Sequence, residues 1–355
     1  MYPRITANLT LLRQNTDRIV DMVHAAGCSC ALVTKCVCAA QPIVAMLNET
    51  EADYLADSRI ANLARIKSEK PRYLLRVSQP HEAREVIAHA EISQQSEPST
   101  IRLLGAEAKT QNRFHKVVLM VDMGDLREGV FYQNRAELVA LANAVKAEPM
   151  LELFGLGVNL TCFGGIVPDE TNLGGLVALA EFLRAETGLP IPMVSGGNSS
   201  SLPMLIQGLL PEGINNLRIG EGYLLGNETV AGTLLPGFHN DAFVLDAQLA
   251  EVKRKPSKPI GQSGLNAFGE AVSFEDRGEM LRGICAVGRQ DIMTDGLTPI
   301  DPSVEILGSS SDHLILNLTE AGGRYRVGDK VAFTVDYGAL LHAFTGGYIV
   351  KEYTE

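Results

Sequence analysis

No apolar run in this 355-residue chain approaches the roughly 20 residues that a membrane-spanning helix needs. A membrane partner is therefore not expected. The opening Met1-Tyr2-Pro3-Arg4-Ile5-Thr6 lacks the apolar core of a signal peptide, so a cytoplasmic location is expected. Basic residues are in deficit: 31 Lys and Arg stand against 42 Asp and Glu, a formal charge of −11. Nucleic acid and anionic lipid surfaces are poor partners for such a chain. There is no low-complexity tract, internal repeat or disordered linker. Cysteine is sparse, six in all, yet four crowd together as Cys28, Cys30, Cys36 and Cys38. A zinc or redox cluster has to be considered. On an extended strand Cys30, Cys36 and Cys38 share one face with Leu32 and Thr34. Cys30 and Cys36 then lie roughly 20 Å apart, too far for one tetrahedral metal. Thiols packed under helices are expected, and no metal site. His24, His81, His89, His115, His239 and His342 show no metal spacing and are expected at the surface or in packing.

What the chain does have is alternation. Short apolar runs recur at 30–35, 52–56, 72–77, 90–93, 116–122, 151–158, 191–194 and 217–219. Helical periodicity lies between them, clearest over 10–26, 135–147, 173–187 and 200–209. Eight strands separated by helices predict an α/β fold, a (β/α)8 TIM barrel. A doubly wound open sheet competes, but no Gly-x-Gly-x-x-Gly turn follows the first strand. After about Gly237 strand-like runs at 243–255, 281–288, 304–306, 314–318, 330–336 and 348–352 follow, with no convincing long helix. The expected domains are a barrel over 1–235 and a smaller all-β domain over 236–355, with residues 1–10 packing beside the latter.

Candidate chemistry collects at the expected C-terminal ends of the barrel strands. Lys35 lies in the apolar run Cys30-Ala31-Leu32-Val33-Thr34-Lys35-Cys36-Val37-Cys38. An ammonium inside a buried strand is costly, and the usual escape is a neutral, nucleophilic amine able to form a Schiff base. The alternative is a strand-end lysine whose head reaches solvent. Ser195-Gly196-Gly197-Asn198-Ser199-Ser200-Ser201 is a glycine-rich turn before a helix, the habitual phosphate site of this architecture. A plain serine cap is the alternative. Arg218 interrupts an apolar strand and is expected to be buried and paired, with Glu221 or with a ligand ring nitrogen. Facing such a nitrogen, a permanently protonated arginine leaves it unprotonated, which weakens the ring as an electron sink and favours simple proton exchange.

These residues carry a resemblance. Val33-Thr34-Lys35, Val121-Asp122-Met123-Gly124-Asp125-Leu126-Arg127-Glu128-Gly129, Gly197-Asn198-Ser199-Ser200, Arg218-Ile219-Gly220-Glu221-Gly222 and Gly308-Ser309-Ser310-Ser311-Asp312-His313 occur in this order. In order and spacing the chain resembles the alanine racemase-like, fold-type III pyridoxal-phosphate enzymes, and within them the alanine/ornithine racemase branch. The likeness spans essentially the whole chain. It implies a pyridoxal 5'-phosphate cofactor held by Lys35 as a Schiff base, with Lys35 then acting as one proton-transfer base. It implies Arg218 against the pyridine nitrogen, and Ser199 with backbone N–H groups near Asn198, Gly220 and Glu221 on the phosphate. Arg127 matches an arginine that steadies the phenolic oxygen and the substrate carboxylate. Asn159 falls where those enzymes place a histidine against the ring.

The departures are informative too. Alanine racemases carry a tyrosine four residues after the lysine, where this chain has Ala39, and Tyr337 is the substitute expected by analogy. Their second catalytic base is a tyrosine in a Gly-Tyr-x-Asp phrase, where this chain has Gly288-Arg289-Gln290-Asp291. An arginine is a poor base. Asp312 and His313 lie on the loop that, in this fold, reaches a partner subunit's site. The resemblance makes Asp312, with Ser311 beside it, a candidate contact for a distal ammonium, and His313 a candidate second acid/base. The implied activity is racemisation of a small-molecule amino acid, ornithine or lysine ahead of alanine, by a homodimer with shared active sites. A basic amino-acid decarboxylase, a non-catalytic cofactor carrier and a Schiff-base aldolase are the alternatives. The decarboxylases place a cysteine where this chain has Ser311.

Overall fold

The computed structural model describes residues 1–355. The chain separates into two units. One comprises Leu12–His239, the other Met1–Leu11 together with Asn240–Glu355. The first strand, β1 (Arg4–Asn8), belongs to the second unit. The first unit holds β2 (Ser29–Val33), β3 (Tyr54–Asp57), β4 (Arg72–Leu74), β5 (Ile92–Gln95), β6 (His115–Asp122), β7 (Val130–Phe131), β8 (Leu151–Gly157), β9 (Met193–Ser195) and β10 (Asn216–Ile219). Eight of these pair in parallel as β2-β3-β4-β5-β6-β8-β9-β10. The β10–β2 pairing returns the sheet to its start, so it is a closed barrel and not an open sheet. The two-residue β7 only lies against β6.

The barrel forms because both faces of each strand find apolar cover. The helices outside it present periodic stripes. Helix Leu9–Ala25 buries Leu12, Thr16, Ile19, Val20 and Val23 at three- and four-residue spacing. Helix Glu170–Thr187 starts at a reciprocal cap, Asp169 with Asn172, and stops at Gly188 with φ +68°. Inside, Ala31, Val33, Ala56, Tyr73, Ile92, Val118 and Met193 pack as one cluster.

In the second unit β11 (Phe243–Pro256), β12 (Glu279–Cys285), β13 (Leu297–Pro299), β14 (Glu305–Ser309), β15 (Leu314–Asn317), β16 (Lys330–Val335) and β17 (Val350–Thr354) follow. They pair antiparallel in the order β13-β16-β11-β12-β15-β14. β1 adds antiparallel to β11 and parallel to β17. One element departs from expectation: a nine-residue helix, Tyr337–Thr345, is capped by Asp336, whose carboxylate accepts from the Ala339 N–H at 2.8 Å. No helix is long and apolar enough to cross a membrane.

Candidate active site

Arg218 stands in the middle of β10, level with Ala31 of β2. Its side chain is wholly buried, with 2% of the residue exposed. Gly157 lies alongside it: a Cβ there would meet Arg218 Nη1 at 3.6 Å, an ordinary contact. No carboxylate bonds the guanidinium directly among its hydrogen-bond partners. Nη2 donates to the Val158 carbonyl at 2.6 Å and to Asn159 Oδ1 at 2.8 Å, and Nη1 donates to Ser195 Oγ. With the Gln94 amide turned, its oxygen accepts from Nε at 3.3 Å. Ser195 passes its own hydrogen to Asn216 Oδ1 at 2.5 Å, and Asn216 Nδ2 donates to Ser29 Oγ at 3.0 Å. The arginine is therefore clamped from both sides. Burial lowers its pKa from the ordinary arginine value, yet an arginine remains protonated at any working pH.

The compensating charge sits one residue further out. Asn159, which accepts from Arg218, donates through Nδ2 to Glu128, and both Glu128 oxygens accept from one edge of the Arg127 guanidinium, Nε and Nη2. Burial alone would raise the Glu128 pKa. The bonds and charge of Arg127, with the Asn159 amide, outweigh it and hold this carboxyl below its usual range. A line Arg218–Asn159–Glu128–Arg127 thus runs from the barrel interior toward the rim, and it alternates charge. The Asp122–Gly129 phrase gains a physical reason as well. Asp122 accepts from the N–H groups of Gly124 and Leu126, at 2.8 and 3.1 Å. Asp125 is buried and accepts from Phe163 N at 2.9 Å and Gly164 N at 3.1 Å, which ties the loop after β6 to the loop after β8.

The turn after β9 is built for close approach. Gly197 has φ +107°, and a Cβ there would come within 2.9 Å of Ser201 Oγ. Asn198 caps the following turn by accepting from Ser200 N at 2.8 Å, and its amide donates to the Leu160 carbonyl and to Cys162 Sγ. Ser199 Oγ accepts from the N–H groups of Gly220 and Gly222, at 3.3 and 3.1 Å, so the β9 and β10 turns are stitched together. Its hydroxyl hydrogen is not used in those bonds. Ser200 Oγ in the same turn is buried and lacks a partner. Glu221 opens the helix Glu221–Leu225 directly after Gly220.

Lys35 requires a correction. β2 ends at Val33, and Lys35 opens a short 3-10 turn, Lys35–Val37, with its side chain exposed. It is not a buried strand lysine. The backbone bends at Thr34 (φ −93°, ψ −2°), so alternation stops there. Cys36 and Cys38 consequently do not continue the face of Cys30, and the strand-rise spacing does not apply to them. No three His, Cys, Asp or Glu side chains are grouped to hold a metal.

Lys35, Arg127, Asn159, Asn198, Ser199, Arg218, Gly220 and Glu221 all belong to the barrel unit and follow or end its strands. Ser311, Asp312, His313 and Tyr337 belong to the other unit. There the structure joins two of the phrases singled out from sequence. Arg289 N and Gln290 N donate to the carbonyls of Ser310 and Ser311, and Gln290 Nε2 donates to Asp312 Oδ1 at 2.6 Å. Ser311 Oγ donates to Asp312 Oδ2 at 2.7 Å. His313 is exposed, with its N–H on Ser310 Oγ. Tyr337 is the first residue of the helix noted above. Sequence reasoning gave no role to Glu128 or Cys162, and it placed Ser195 only within the glycine-rich turn, not on Arg218. An acid beside an arginine, a strand-end serine and a loop cysteine carry no signal until the fold places them at Arg218.

Residues 7–226 match the family model described as alanine racemase, N-terminal domain. The chain belongs to the alanine racemase family. It is 46% identical over 358 residues to an ornithine racemase of Acetoanaerobium sticklandii, covering 99% of each chain. It is 36% identical over 356 residues to a lysine racemase of Thermotoga maritima, again covering 99% of each. Among solved structures, an alanine racemase from Bartonella henselae described with covalently bound pyridoxal phosphate aligns with TM-score 0.73 at 17% identity, covering 99% of each chain. This last likeness concerns the fold. Membership and the full-length relatives make the protein a racemase.

Proposed function

We propose that this racemase interconverts L- and D-ornithine, with pyridoxal 5'-phosphate on Lys35 as its cofactor. The observation that supports the cofactor most strongly is the Arg218 clamp. A buried guanidinium with four N–H groups engaged keeps one on Nη1 for a ring nitrogen. The orphaned Ser200 hydroxyl and the undonated hydrogen of Ser199 suit a phosphate beside them. On this reading Lys35 holds the aldehyde, Arg218 the ring nitrogen, and Ser199 with the Asn198, Gly220 and Glu221 turns the phosphate. Asn159 lies beside the ring, and Tyr337 takes the place of the missing tyrosine at position 39. When bound, the cofactor supplies an electron sink that acidifies the substrate Cα–H.

The remaining work belongs to the chain. The Lys35 amine moves the α-proton on one face. Arg127, held rigidly by Glu128, presents its remaining N–H edge to the substrate carboxylate. Arg218 keeps its proton and so limits the sink to proton exchange. Asp312 and Ser311 take the distal ammonium, and His313 is the second acid/base. These residues reach the site of a second copy in a homodimer with shared active sites. Exposed Leu126, Phe163 and Val167 on the barrel's rim loops, 66%, 75% and 49% accessible, agree with a covered face.

A chiral assay tests the substrate. Wild-type protein should racemise ornithine more efficiently than alanine. Asp312→Ala should raise KM for ornithine roughly tenfold or more, the size of one lost charge-assisted contact, and leave alanine unchanged. Equal effects on both substrates would remove Asp312 from substrate recognition. Carbon dioxide release would indicate a decarboxylase instead.

A further inference from the structure

Two successive residues just beyond Lys35 hold a backbone conformation that L side chains avoid. Cys38 and Ala39 each have φ +50°. Neither is glycine or asparagine, so nothing local favours the left-handed region. Such a turn persists only where its surroundings over-determine it.

Those surroundings form a closed circuit. Thr34 Oγ1 donates to Asp57 Oδ2 at 2.7 Å. Asp57 Oδ1 accepts from Arg59 N at 2.8 Å and from Asn62 Nδ2 at 3.0 Å. Asn62 Oδ1 accepts from Arg65 Nη2 at 2.6 Å, and the same nitrogen donates to the Cys38 carbonyl at 2.9 Å. Gln41 Nε2 adds bonds to the carbonyls of Ala39 and Arg65. The bonds leave the segment at Thr34 and return to it at Cys38, bracketing Lys35. Thr34 and Asp57 are both 0% exposed. Every group bonded to Asp57 is a donor, the pattern of an ionised carboxylate. Burial raises its pKa, while the bonds from Thr34, Arg59 and Asn62 and the charge of Lys35 oppose that shift.

We propose that Asp57 is the positioning residue of the lysine turn: it fixes Thr34–Ala39 so that Lys35 is presented at the barrel rim before any cofactor arrives. Asp57 acts through Thr34 and Asn62 and is not itself a catalytic residue. Its consequence for activity rests on Lys35 being the cofactor lysine; the preordered turn does not.

The test is hydrogen exchange of the full chain without added pyridoxal phosphate, read by mass spectrometry over peptides spanning 34–40. Asp57→Asn is nearly isosteric. Its retained oxygen still serves Arg59 N and Asn62, and the Thr34 hydroxyl can fall back on the Ala56 carbonyl, already at 3.2 Å. Arg65→Ala alters an exposed side chain and cuts the opposite arm of the circuit, so it remains available if Asp57→Asn does not fold. Each variant should speed exchange at 37–40 by roughly tenfold or more, the scale of one lost hydrogen bond to a charged group, with β6 unchanged. The association rate of pyridoxal phosphate, followed by absorbance, should fall in parallel. Unchanged exchange at 37–40, equal acceleration in β6, or protection that appears only with cofactor would each overturn the proposal. Should borohydride mark another lysine, the proposed function fails while the exchange result stands.

Discussion

His115 sits out of water at the start of β6, 1% exposed, between the Ala90 carbonyl at 3.1 Å from Nδ1 and Ser93 Oγ at 2.7 Å from Nε2. The carbonyl can only accept, so Nδ1 carries the hydrogen and the neutral ring accepts from the serine. Burial pushes its pKa down from 6.5 to about 4. The unfolded chain therefore binds a proton that the native ring refuses. The stability from this group is complete above about pH 6.5 and is lost as pH falls toward 4, on the order of 3 kcal/mol in total. Urea unfolding at pH 7.5 and pH 4.5 checks this: His115→Gln should be less sensitive to acid than wild type by about that amount. Equal sensitivity would mean the ring is charged in the fold. At this scale Arg218 was legible, because a charge within an apolar strand stands out. Lys35 was singled out from the sequence, and its conformation was misread. The bend at Thr34 is made by a bond to Asp57, 23 residues away, and no glycine announces it.

Strands and helices of the barrel were readable because each alternates cover on two sides, and period and length agree. β2 was read two residues too long, for the reason just given. β3 was read as 52–56 where the strand is Tyr54–Asp57, so its end fell one residue early and left Asp57 outside it. The helix Tyr337–Thr345 escaped notice because its nine residues are short and largely apolar, Ala339, Leu340, Ala343 and Phe344 being buried, so they resemble a strand. Gly288 shows what an element's close approach demands. A Cβ there would lie 2.3 Å from the Ser311 carbonyl oxygen and 2.5 Å from Asp312 N. Backbone must shift to admit it. Gly288→Ala should cost about 1–3 kcal/mol in urea unfolding, as overpacked sites do, and should loosen the Ser310–His313 loop. A neutral substitution would show that these loops are not in contact.

For the molecule as a whole, the full-length likeness to an ornithine racemase and a lysine racemase sets the enzyme class, and the proposed cofactor site is built around the Arg218–Asn159–Glu128–Arg127 line. That line could not be read from the chain, since its members come from β10, the end of β8 and the loop after β6, and only the closed barrel brings them together. The packing of residues 1–10 beside the second unit was expected from the sequence; what the fold adds is the pairing of β1 with β11 and β17, hundreds of residues later. The account's centre is the Lys35 amine as the point of covalent attachment for the cofactor. Reduction of the protein loaded with pyridoxal phosphate by borohydride, followed by peptide mapping, tests it most directly. One labelled peptide with the tag on Lys35 is the predicted result. A tag on any other lysine, or no tag, would contradict the account.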